Sequence, residues 1–320
     1  MRVISRFLTL ICLLAVLLLP AVALLANADD SVTFHRAFIH GASVCVVQAD
    51  LNDPTVRIDV GLPAKGIAHS ESFAGFVRRH APVAAVTGIY FDIRTLQPTG
   101  TIVAGGRTVH ESHIGTAVCF TPDNKVRFVD ARLGEACDLS NTECGFRTGP
   151  RLLANGQYSL NPRREGFRHP GLYGARTRMA LGVTAFNKLL LVFVRTPVTF
   201  SRLATIMKLM GATDAVCLDG GTSSAMYYKG QLIQRPGRLL TNVVEVLRRP
   251  ALAPVAIART GGFTIQISAS HVSQLASLIG HRTADGVVHG TDYEPVAILA
   301  DPIKLRFSKG LHTFFPVHRA

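Results

Sequence analysis

An aspartate and two glycines follow a short apolar run, Ala215-Val216-Cys217-Leu218, and open the segment Asp219-Gly220-Gly221-Thr222-Ser223-Ser224. The run has the length of a buried strand. A carboxylate at its exit is held by a rigid sheet. Gly220 and Gly221 let the backbone pass close to a ligand and reach φ values that other residues avoid. Thr222, Ser223 and Ser224 add hydroxyls and backbone donors able to face an anion or a sugar. An ordinary turn with Asp219 as side-chain acceptor has the same local pattern. What distinguishes this stretch is its company. An amphipathic helix precedes it, with Leu203, Ile206, Met207 and Met210 on one face, Thr199 placed to cap its start and Gly211 to end it. Arg238 and Asn242 follow it within RLLTN.

Two further segments join this one. The continuous apolar run at 82–91 reads as a strand buried on both faces and ends in Thr87-Gly88-Ile89-Tyr90-Phe91-Asp92. Arg178 opens Arg178-Met179-Ala180-Leu181-Gly182, with Arg176 two residues before it. In this order, RMALG, a hairpin, a helix, LDGGTSS and Arg238 with Asn242 resemble the phosphodiester glycosidase domain, over roughly residues 40–249. This is the domain of the uncovering enzyme, which removes N-acetylglucosamine from its phosphodiester. It also occurs in bacterial secreted proteins linked to exopolysaccharide.

The resemblance implies a hydrolase that breaks the anomeric C–O bond of a sugar-1-phosphodiester. It places Gly88, Tyr90, Phe91 and Asp92 on the family's strand-end pattern, with Thr87 where the family has asparagine. It carries the family's inward-pointing arginine onto Arg178, and a second arginine near the glycine loop onto Arg238. Such chemistry passes through an oxocarbenium-like centre. The departing phosphate is already an anion, so a strong general acid matters less than cations and backbone donors that hold it. A guanidinium offers two parallel charge-assisted bonds to phosphate oxygens. On this reading Asp219 is the first choice of catalytic carboxylate and Asp92 the second, their roles exchangeable. Arg178 and Arg238 hold phosphate, and Gly220, Gly221, Thr222 and Ser223 form a backbone cradle. Asn242, Thr87, Gly88 and Tyr90 complete the substrate site. A non-catalytic glycan-binding or export accessory protein that keeps the pocket is the alternative. A serine hydrolase on Ser223 or Ser224 lacks the G-x-S-x-G elbow.

The positioning elements follow from turn signals. Runs at 43–48 and 56–62 flank Asn52-Asp53-Pro54 as a hairpin signature. Ser70 is placed to cap a helix through Arg79, with Phe73, Phe76 and Val77 on one face. Hairpins are expected across Gly105-Gly106, across Pro122-Asp123-Asn124, at Asn187-Lys188 and across Lys229-Gly230. The 157–175 segment, with Arg163, Arg164, Arg168 and His169, reads as a lid, a binding loop or a flexible solvated loop. The fold expected is α+β: a mixed, mainly antiparallel sheet with helices packed on it, plus a small C-terminal extension.

Residues 1–28 read as a cleaved signal peptide, with Arg2 and Arg6 before an apolar stretch and Ala26-Asn27-Ala28 as the cleavage site. The expected products are a domain at 29–249 and an extension at 250–320, exported to the periplasm or beyond, with no stable membrane insertion after cleavage; an uncleaved membrane anchor is the rival reading. The formal charge of +13 becomes +11 without Arg2 and Arg6. The basic residues are scattered, which argues against nucleic acid and fits a phosphate-bearing or anionic glycan partner. Cys137 and Cys144 flank a polar segment suited to a loop disulfide, whereas Cys45, Cys119 and Cys217 sit in apolar runs as small hydrophobes. No cofactor is expected. No metal site is assigned to His110, Glu111 and His113, which read as hairpin residues. In the tail, strands at 263–268 and 296–299 and a short helix at 272–279 are expected, as an added module or a partly disordered extension.

Overall fold

The computed structural model describes residues 30–249 and five short strands beyond them. The signal-peptide reading at 1–28 and the helix expected at 272–279 lie outside the described residues. The chain divides into two compact units, Met1–Arg248 and Arg249–Ala320.

In the first unit, hairpin β1 (Val32–Ile39) and β2 (Ala42–Asp50) leads to β3 (Val56–Gly61), helix α1 (Phe73–His80) and β4 (Ala84–Thr87). Next come β5 (Ile102–Ala104), β6 (Arg107–His110), β7 (Thr116–Phe120), β8 (Val126–Val129), β9 (Cys144–Thr148), β10 (Arg151–Ala154) and β11 (Gln157–Tyr158). Long strands β12 (Arg176–Thr184) and β13 (Lys188–Val198) precede helix α2 (Phe200–Leu209). The unit closes with β14 (Ala212–Leu218), β15 (Met226–Tyr228), β16 (Gln231–Gln234) and β17 (Val243–Arg248).

Three sheets result. A seven-stranded sheet runs β1-β2-β13-β12-β14-β10-β11, a five-stranded sheet β16-β15-β4-β17-β3 and another β6-β5-β9-β7-β8. Among the described residues every strand pairing is antiparallel. The mainly antiparallel character expected is thus found, with no mixed pairing among the described residues, and the weight given to helices is corrected to a sheet-dominated architecture with two short α-helices. The second unit contributes a two-stranded piece, β18 (Val255–Ala256) with β19 (Gln266–Ile267). It also has a three-stranded one, β20 (Ala297–Leu299), β21 (Lys304–Phe307) and β22 (Gly310–Thr313).

Strand alternation divides the core. Val47, Leu181, Leu191 and Val216 join Val86 and Val244 of the second sheet and Val118 and Phe146 of the third. Their neighbours Val46, Ala180, Val192 and Cys217 face the other way, onto Leu203, Ile206 and Met207 of α2. Thr199 caps α2 by accepting the Arg202 amide, and Gly211 follows in the left-handed region, as the spacing predicts. α1 is capped by Ser72, not Ser70: the Ser72 hydroxyl accepts the Gly75 amide, while Glu71 bridges to Leu240. Phe73 and Phe76 pack on Ala85 and Val243.

Two other local expectations change. The 52–54 turn joins strands of different sheets, because β2 pairs with β1 and β13 while β3 pairs with β17. Cys137 and Cys144 are free thiols, since Cys144 is fully buried in β9 within the main core. Cys45, Cys119 and Cys217 are buried as expected.

Candidate functional site

Three chain segments converge where β4 and β14 end and β17 begins. The Asp219 amide donates to the Gly88 carbonyl at 3.0 Å, tying the seven-stranded sheet to the second one. The Asn242 side chain closes the third contact: its Oδ1 accepts the Ile89 amide at 2.6 Å and its Nδ2 donates to the Ile89 carbonyl at 3.3 Å. A Cβ at position 88 would lie 2.0 Å from Asn242 Oδ1, so only glycine permits this approach.

Asp219 stands half-buried at this junction. Its Oδ1 accepts the Gly220 amide at 2.8 Å. Gly221 has φ +59°, a left-handed value that starts the single turn Gly221–Ser223 and folds the loop back over the carboxylate. Burial pushes the Asp219 carboxyl up to about 6, while the Ser223 hydroxyl, the Gly220 amide and the Arg238 charge pull the other way. A carboxyl poised near neutrality, in a loop of backbone donors and beside an exposed guanidinium, can exchange a proton with water at ordinary pH.

Arg178 lies next to this loop, its Cα 3.4 Å from where a Gly220 Cβ would stand. Its guanidinium is buried and largely committed. Nε donates to Val198 O at 3.2 Å, and Nη2 to Leu172 O at 2.6 Å and Gly174 O at 2.7 Å. The group also stacks 4.0 Å above the Phe200 ring. Arg178 thus pins the 159–175 loop to the sheet, and its fork is not free to hold a phosphate in both arms. Arg238 is exposed and remains the guanidinium open to a ligand beside Asp219.

Tyr90 points its hydroxyl at Cys217 Sγ, 3.4 Å away. Its titration is raised well above the usual tyrosine value by burial, the Cys217 thiol and the Asp219 charge, so it stays a proton donor. The Phe167 ring packs 5.6 Å from Tyr90, which brings the predicted lid onto the site. Asp92 departs from its expected role. It is exposed, and its Oδ1 accepts the Arg94 and Thr95 amides at 2.8 and 2.9 Å. These amides hold it below the usual carboxylate range. Its Oδ1 closes the start of the 92–97 turn, away from the Asp219 loop's own hydrogen bonds. Thr87 is enclosed at 1% exposure, like Asn242 at 2%, so both brace the junction. Thr222 is exposed at the rim, where its carbonyl accepts the Gly237 amide at 2.7 Å.

One buried carboxyl, Glu165, carried no signal in the sequence. It takes the Arg151 amide on both oxygens, at 3.0 and 2.9 Å, and the Thr116 hydroxyl at 3.0 Å. Burial raises it to about 7. A glutamate in a polar, arginine-rich loop reads as solvated; only the folding of that loop against β10 encloses it. Among the described residues no group of three or more His, Cys, Asp or Glu side chains could hold a metal ion. The His113 and Glu111 side chains pair with each other at 3.5 Å.

The family model described as phosphodiester glycosidase matches residues 80–247, just over half of the chain, and the chain belongs to this family. Two solved structures share the fold. A hypothetical protein from Synechocystis aligns at TM-score 0.62 and 14% identity, over 70% of this chain and 63% of that one. The alignment thus spans less than two thirds of that protein's length. The catalytic domain of zebrafish N-acetylglucosamine-1-phosphodiester alpha-N-acetylglucosaminidase, auto-inhibited by its pro-peptide, aligns at TM-score 0.56 and 20% identity, over 70% of this chain and 85% of that one. No curated protein matches the sequence.

Proposed function

We propose that this protein hydrolyses the anomeric C–O bond of a sugar-1-phosphodiester of the N-acetylglucosamine-phosphodiester type. The observation that carries the reading is Asp219: a half-buried carboxyl raised to about 6, held in a glycine loop beside the exposed Arg238. In this reaction the sugar–oxygen bond breaks with its electron pair leaving on the phosphate oxygen. Water adds to the anomeric carbon and gives its proton to the Asp219 carboxylate. Arg238 and the Gly221 and Thr222 amides stabilise the departing phosphomonoester. The Tyr90 hydroxyl, kept protonated, supplies a donor beside them. We further propose that the protein works after export, on exopolysaccharide or another anionic glycan.

The test is release of free sugar and phosphomonoester from an N-acetylglucosamine phosphodiester by purified protein, with Asp219→Asn as control. Turnover by wild type and its loss in the variant support the reading; equal rates in the two would rule out Asp219. A second reading, a glycan-binding protein without turnover, draws support from Asp92 and Arg178, which bond the chain's own backbone through Oδ1 and through Nη2. Saturable binding of the same phosphodiester without hydrolysis would favour it.

A further inference from the structure

A groove of about 540 Å³ opens between α1 and the outer part of the second sheet, lined among others by Asp59, Leu62, Arg79, His80, Glu245 and Leu247. Neither Asp219, Arg178, Arg238 nor Asn242 lines it. Its wall holds an arrangement that the fold does not explain. Glu245 of β17 stands directly opposite Asp59 of β3, a like-charge cross-strand pair of the kind that destabilises a sheet. Glu245 is 1% exposed, and its Oε1 is buried with no hydrogen-bond partner. Such an enclosed, unmet acceptor is rare in a native fold and calls for a partner. Gly61 leaves room for this carboxyl, since a Cβ there would lie 2.8 Å from Oε1.

The remaining groups select the sign of a ligand. Arg79 is engaged, with Nη2 on Leu62 O at 2.8 Å and Glu71 Oε2 at 2.6 Å, and Nη1 against His80 Nε2. His80 Nδ1 meets Glu245 Oε2 at 2.7 Å. Asp59 shares Arg57 with Glu143. Arg79 and His80, the basic residues on the groove's wall, are therefore engaged, whereas Glu245 keeps an acceptor unmet. A negatively charged ligand there would meet two carboxylates and a guanidinium already bonded to Leu62 O and Glu71. No cluster among the described residues suits a metal ion. The apolar wall at Leu62 and Leu247 suits methylene groups.

We propose that this groove is a second binding site, for a small aliphatic ammonium ligand. Its cationic head lies between Glu245 Oε1 and Asp59, and its chain lies along Leu62 and Leu247. The site is independent of the hydrolytic reading above.

Calorimetric titration of the full chain at neutral pH, with putrescine as probe and butanediol as its uncharged counterpart, tests this. Saturable one-to-one binding of the diamine but not the diol is expected. Affinity should fall roughly tenfold or more in Glu245→Gln and in Asp59→Asn, and persist in Asp219→Asn. No saturable binding, equal binding of diamine and diol, or unchanged affinity in both variants would overturn the proposal. Thermal melting establishes that each variant is folded. Should Glu245→Gln fail to fold, Asp59→Asn decides alone, and wild-type affinity there rejects the site.

Discussion

Asn242 fills the space where residue 88 would carry a Cβ: its Oδ1 lies 2.0 Å from that position and accepts the next amide, that of Ile89. The contact ties the end of β4 to the start of β17 within the second sheet, where the Gly88 carbonyl takes the Asp219 amide from the first. Gly88→Ala should displace Asn242 and disturb the Asp219 amide bond to Gly88 O. The expected loss is about 1–3 kcal/mol of stability, with most of any hydrolytic activity. Chemical denaturation and a sugar-release assay check both. A variant that unfolds and turns over like wild type contradicts the role given to this contact.

Asp219 acting as base must be ionised. With its carboxyl raised to about 6, kcat/KM should rise with pH through that region and level above it. Asp219→Asn should lower kcat/KM about 10²–10⁴-fold while the melting temperature stays close to wild type. A rate that instead falls through pH 6 would make the group an acid.

Glu165 links pH to stability. Its folded value of about 7 lies above the ordinary 4.5, so the folded state binds the proton more tightly than the unfolded chain. The stability this confers is fully present below 4.5 and is lost as pH rises through 7, by about 3 kcal/mol in all. Glu165→Gln should flatten that part of the pH–stability curve. Urea unfolding of both proteins between pH 4.5 and 8 measures it, and parallel curves would exclude Glu165 as the cause.

Arg178 holds the 159–175 loop through Leu172 O and Gly174 O. Arg178→Met removes the donor to those partly exposed carbonyls and should cost about 1–2 kcal/mol. It should also expose the loop to limited proteolysis near Arg163, Arg164 and Arg168. Unchanged cleavage kinetics would show that the loop is held by other contacts, such as Phe167 on Tyr90.

Much of this protein is legible along the chain because its cues are local. The apolar face and caps of α2, the buried run before Asp219 and the glycine turns all act within a few residues. Four hairpins fall where their turn residues place them. The order of glycine loop, arginine and asparagine also pointed to the family that matches residues 80–247.

Other features depend on partners far away in sequence. Sheet membership of β2 and β3 is set by β13 and β17, more than a hundred residues on, so a turn that looks like a hairpin joins two sheets. Residue type alone did not distinguish the carboxylate of Asp92, satisfied by its own turn, from that of Glu165, enclosed by a folded loop. Burial and hydrogen-bond supply are properties of the surroundings, and these set proton affinity. Identity and spacing name the groups able to do chemistry; the packing of distant strands determines which of them water reaches.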